Sequence, residues 1–101
     1  MILTAMLAAT ALQMDALLQN GLQITTPSVT YTTFFNADGT YTTDVGIEGT
    51  WEVRGEEICV VRSTGESGCA PLMADAALGD TWEGENAATG ETVTYTIVPR
   101  G

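Results

Sequence analysis

The sequence predicts an all-β protein, an antiparallel meander of seven or eight short strands forming a small barrel or strongly bent sheet, preceded by a short N-terminal helix. Three observations predict it. From Leu22 onward, apolar and polar residues alternate with period two, as along half-buried strands. Gly, Asn and Asp recur between these runs at short intervals, with no helical pattern between them. Cys59 and Cys69 stand symmetrically about Thr64, where a hairpin would set them opposite one another. At 101 residues, 45% of them hydrophobic and 16% charged, the chain has the material for one core.

The N-terminal stretch "MILTAMLAATALQ" is apolar from Met1 to Leu12 and contains Ala9-Thr10-Ala11, a sequence of the kind signal peptidases cut. We read residues 1–11 as an export leader and residues 12–101 as a single β domain. The leader lacks a preceding Lys or Arg and is short for its class, as a truncated start would make it. The competing reading is one helix across Thr4 to Asn20, with Leu3, Leu7, Met14, Leu17 and Leu18 as its apolar stripe. Under either reading "MDALLQNG" is helical and Asn20-Gly21 is its C-cap. The apolar run is too short for a transmembrane anchor, which takes about 20 residues.

The strands follow in order. "VTYTTFF" sets Tyr31, Thr33 and Phe35 against Thr30, Thr32 and Phe34, and "NADG" turns the chain into Thr40–Asp44. In "GTWEVR", Trp51 and Val53 face inward while Glu52 and Arg54 face out, and "RGEE" leads into the strand at Ile58. "STGESG" turns the chain again. "MADAALGD" (Met73 to Asp80) interrupts the rhythm as one helical turn or a loop. After "WEGE" and the turn "NAATG", the last strand "TVTYTIV" places Val93, Tyr95 and Ile97 on one face and Thr92, Thr94 and Thr96 on the other.

Charge narrows the function classes. Thirteen acidic residues face three arginines (Arg54, Arg62 and Arg100), with no lysine or histidine, for a formal net charge of −10. This balance opposes binding to nucleic acid, which rests on clustered Lys and Arg, and to an anionic membrane surface. It suits a solvated acidic surface, or a cationic partner.

Without histidine the usual general base and the Ser-His-Asp and Cys-His arrangements are missing, and Ser28, Ser63 and Ser67 have no activating context. "NADGTYTTD" is not a calcium loop: with Asp38-Gly39 at positions 5 and 6, Phe34 falls at position 1 and Val45 at position 12, and neither ligates. The best-placed acid/base pair is Glu83 with Glu85, on one face of "WEGE" and opposite Trp82; glycoside chemistry would need such a pair in a pocket. No catalytic, metal or cofactor site is expected. Trp51, Trp82, Tyr31 and Tyr95 are the candidate ligand-facing aromatics, core filling being the competing role.

For Cys59 and Cys69 the expectation is a structural disulfide. Two thiols without histidine cannot complete a four-ligand zinc site, and the spacing is not C-x-x-C. A disulfide fits the export reading, since such bonds persist in oxidising compartments.

The string "LLQNGLQ…TTFFNADGTYTT…GTWEVRGEEICV…GC…TYTIVPRG", from about Leu17 to Gly101, resembles a group of small exported bacterial proteins with lipocalin-like antiparallel β domains. The resemblance rests on turns, core aromatics and the cysteine pair, and brings no catalytic residues with it. The functional expectation is a periplasmic or secreted, disulfide-stapled, non-catalytic domain that binds a protein partner or a small apolar ligand. The alternatives are a proteinase-inhibitor-like module presenting Ser63–Gly68 or Ala74–Asp80, a carboxylate-based hydrolase acting on envelope polysaccharide, and a structural envelope component with an exposed apolar patch.

Overall fold

A computed structural model describes residues 14–72 and 76–100. Residues 1–13, which include the stretch read as an export leader, Met73–Asp75 and Gly101 lie outside the described residues. Eight strands form one antiparallel sheet: β1 (Gly21–Thr25), β2 (Thr30–Phe35), β3 (Thr40–Thr43), β4 (Glu48–Arg54), β5 (Glu57–Arg62), β6 (Ser67–Pro71), β7 (Thr81–Glu85) and β8 (Thr92–Val98). Their order in the sheet is β6-β5-β4-β3-β2-β1-β8-β7. The chain meanders from β1 to β6 by hairpins, and β8 then returns to pair with β1 over Gly21–Thr25. With one face apolar and strands that twist, the sheet rolls up into a nearly closed barrel.

The alternation in the sequence sets the facing. Tyr31, Thr33 and Phe35 of β2 are buried, as are Val93, Tyr95 and Ile97 of β8, while the even-numbered residues of both strands are more exposed. The core runs through the barrel from Met14 and Leu17 to Ile24, Tyr31, Ile58, Val60 and Tyr95. "NADG" makes a hairpin turn, in which Asn36 N donates to Thr40 O at 2.9 Å and the Asp38 carboxylate accepts from Thr40 N at 3.0 Å. The Asp38 carboxyl is held below its ordinary range by the Thr40 hydroxyl and amide, so its charge is spent within the turn.

One end of the barrel is covered by α1 (residues 14–19), whose Met14 and Leu17 are buried against the strands. The helix stops differently from the expected glycine cap. Gly21 already belongs to β1, and the Asn20 side chain donates to Ala16 O at 3.0 Å in place of a left-handed residue. Packing explains it: a Cβ at Gly21 would come within 2.9 Å of Thr32 Cγ2, so the glycine serves close strand packing. Arg100 locks the same end, donating to Leu18 O at 3.1 Å, to Phe35 O at 2.7 Å and to Asn36 Oδ1 at 2.6 Å. Its guanidinium also lies 5.6 Å from the Phe34 ring, which gives that outward-facing aromatic its contact. Of the segment read as a helical turn or a loop, residues 76–80 are a turn in which Asp80 Oδ2 accepts from Ala77 N at 2.9 Å.

The barrel's seam lies between the edge strands β6 and β7. A Cβ at Gly68 would collide with the Ala87 carbonyl, so absence of a side chain lets the segment after β7 close over the β6 edge. Gly68→Ala is expected to destabilise the fold by about 1–3 kcal/mol, the usual cost of overpacking. The urea midpoint checks this, and an unchanged midpoint would show that the seam is not close-packed.

Candidate functional site in the barrel interior

A partly open cavity of about 80 Å³ lies inside the barrel. Its walls are mostly apolar, with Leu22, Ile24, Ile58, Val60 and Leu72 among them, and Leu17 of α1 closes it at the covered end. At the other end, where no helix lies among the described residues, Thr43, Ile47, Arg62 and Asn86 reach the cavity.

Strand register decides which side chains meet there. Tyr31 pairs with Ile24, Ile24 with Tyr95, and Tyr95 with Trp82, so one row crosses β2, β1, β8 and β7. All four line the cavity. Trp82 and Tyr95 pack with ring centroids 5.6 Å apart. Trp51, expected with them among the ligand-facing aromatics, does not line the cavity. It sits half-buried by the 36–39 turn, where its indole N–H donates to Asn36 O at 2.9 Å and its ring meets the Phe35 edge at 6.2 Å. An indole whose N–H finds a partner at the rim is held there rather than over the interior.

A second row crosses β3, β4 and β5, where Tyr41 pairs with Gly49 and Gly49 with Arg62. A Cβ at Gly49 would lie 2.8 Å from the Tyr41 ring, so the ring leans across the glycine toward Arg62. Burial pushes the Tyr41 hydroxyl above its ordinary range, and the Arg62 guanidinium beside it pulls it partly back. Arg62 follows Ile58 and Val60 on the inner face of β5, and its side chain is only 16% exposed.

Asn86 is buried, donates to the Tyr31 hydroxyl at 3.0 Å, and accepts from Ala88 N at 2.9 Å. It holds both the β7–β8 turn and the Tyr31 ring. From the sequence, Asn86 is a turn residue and Arg62 one of three cations. Alternation from Ile58 signals that Arg62 faces inward, whereas nothing local signals the direction of Asn86.

Tyr95 donates its hydroxyl proton to Glu85 O. Burial, with Tyr31 and Glu85 adding to it, pushes the Tyr95 hydroxyl up to about 12. Its folded value lies above the roughly 10 of an unfolded tyrosine, so the fold favours the un-ionised form. That stabilisation is whole below about pH 10 and declines as pH rises toward about 12. A tyrosinate absorbance titration should show a last-ionising tyrosine near pH 12 that is absent in Tyr95→Phe. If the titration is the same in both proteins, the late group is not Tyr95.

The carboxylate pair Glu83 and Glu85 lies on the exposed face of β7, with both side chains in solvent. The pocketed arrangement that hydrolysis would need is not formed there. Ser63–Gly68 is not an extended loop: Arg62 N donates to Glu66 O at 2.7 Å, and Ser67 and Gly68 belong to β6. Among the described residues, no three Cys, Asp or Glu side chains gather as a metal site would require, and no helix is long and apolar enough to cross a membrane.

Cys59 and Cys69 are paired in register and joined by a disulfide across β5 and β6. Cys59 lies between the inward Ile58 and Val60, so the bond is on the outer wall of the barrel. No protein-family model, curated protein sequence or solved structure matches the chain.

Proposed function

We propose that this protein is a non-catalytic β domain of the cell envelope, exported to the periplasm or beyond, that holds a small apolar ligand inside its barrel. The observation that carries this reading is the apolar cavity of about 80 Å³, open to wall residues of both ends of the barrel. Its volume is about half that of the roughly 150 Å³ engineered cavity known to stay dry and to take benzene or xenon. The disulfide supports an oxidising compartment, in keeping with the apolar leader sequence.

A protein partner has less support. The exposed large apolar residues Val29, Val45, Val61 and Leu78 are spread over two turns, one strand and one loop, as on an ordinary surface.

Xenon titration followed by methyl NMR tests the ligand reading directly. Saturable shifts at Ile24, Ile58 and Val60 are expected, with no comparable change at the outward Val61. Shifts spread evenly over surface methyls, or none at all, would overturn it.

A further inference from the structure

We propose that the ligand is an amphipathic anion, a short unbranched monocarboxylate whose alkyl tail fills the cavity and whose carboxylate is taken by Arg62 at the uncovered end. This deepens the ligand-binding reading and rests on it.

The placement of the charge carries the inference. Among the described residues Arg62 is the one cationic residue lining a mostly apolar cavity. The other two arginines are committed elsewhere: Arg54 to Glu52 at 3.0 Å, and Arg100 to the carbonyls of Leu18 and Phe35. Arg62 is held more loosely: its guanidinium lies beside the Tyr41 hydroxyl and pairs with Glu66 only at 3.8 Å, so among the described residues it makes no close contact with a carboxylate.

A guanidinium carries five N–H donors in a fork that matches a carboxylate. Holding one at 16% exposure against apolar walls costs solvation energy that Glu66, itself 46% exposed, offsets only in part. The fold nonetheless provides for it, since the glycine at position 49 lets the Tyr41 hydroxyl lean toward the same point. A ligand carboxylate there would gain the guanidinium fork and a phenolic O–H together. The tail would then lie along Ile58, Val60 and Ile24.

The size of the cavity sets the tail. A volume of about 80 Å³ leaves no room for a ring with substituents or for a long chain. Within the cavity, each added methylene should tighten binding about fourfold, and the gain should stop once the tail reaches α1.

The test compares pentanoate with 1-pentanol, which has the same tail and no charge, by methyl NMR titration of three proteins. In the unaltered protein pentanoate should bind about tenfold tighter than the alcohol, the scale of a hydrogen-bonded charge. In Arg62→Gln that preference should vanish while 1-pentanol still binds, which shows that the barrel is intact. In Glu66→Gln pentanoate should bind about two- to fivefold tighter, since the competing carboxylate is gone.

If 1-pentanol binds as well as pentanoate to the unaltered protein, the carboxylate inference is overturned and the apolar-ligand reading stands. Retention of the pentanoate preference in Arg62→Gln overturns the assignment to Arg62. If neither compound binds and xenon also fails, the ligand-binding reading itself is wrong.

Discussion

Replacing Ile97 with alanine is expected to destabilise the protein by about 2–5 kcal/mol, the range for removing a branched side chain from a packed core. Ile97 is the most deeply buried side chain of the described residues, at 1% exposure. Its position explains why the site cannot collapse around the loss. β8 is flanked by β1 on one side and β7 on the other, and Ile97 pairs with Leu22 while its amide donates to Asp80 O at 2.9 Å. The backbone is therefore pinned on both edges, and the space left by three carbons stays open. For a domain of this size each kcal/mol lowers Tm by about 4–8 °C. Calorimetry should show a fall of about 8–40 °C on this scale, with Ile97→Val costing only about 0.5–1.5 kcal/mol. Equal losses for the two variants would mean that the site relaxes and that close packing at Ile97 is not what stabilises it.

Removing the disulfide is the second large effect. Cys59 and Cys69 are separated by ten positions in sequence, and closing that loop is worth about 2.7 kcal/mol on the chain-entropy account. Net stabilities of single domains are about 5–15 kcal/mol, so the bond is a sizeable fraction of the whole. The effect has a location as well as a size. β6 is an edge strand, paired only with β5, and the bond ties it down at its middle residue. Cys59→Ala with Cys69→Ala should lower the urea midpoint and raise amide exchange in β6 well above that in β1 and β8. Uniformly faster exchange across all strands would show that the bond acts only on the unfolded chain. Intact mass of protein from its native compartment, with and without reductant, checks that the bond forms there.

These two sites differ in how far the sequence discloses them. The cysteine pair is legible because a hairpin is local: the turn at Thr64 sets the register, and Cys59 falls opposite Cys69. The same holds for the inward facing of Tyr31, Phe35, Val93, Tyr95 and Ile97, since pleating makes alternate side chains share a face. Ile97 could thus be placed in the core from its strand alone. That it would be the most buried side chain could not, because this depends on β8 returning to pair with β1, more than sixty residues earlier in the chain.

The candidate site divides along the same line. Residue type and alternation by themselves determined an antiparallel scaffold of seven or eight strands, its disulfide and an apolar interior, since these follow from interactions between near neighbours in the chain. Tertiary structure alone decided that Tyr31, Tyr95 and Trp82 share a row while Trp51 is drawn to the rim by Asn36. It also decided that Tyr41 crosses Gly49 to meet Arg62, and that the walls stop short of filling the barrel. The physical reason is that a cavity belongs to no residue. Its volume is the difference between the space that barrel closure encloses and the side chains that happen to point into it, and closure is a property of the whole sheet.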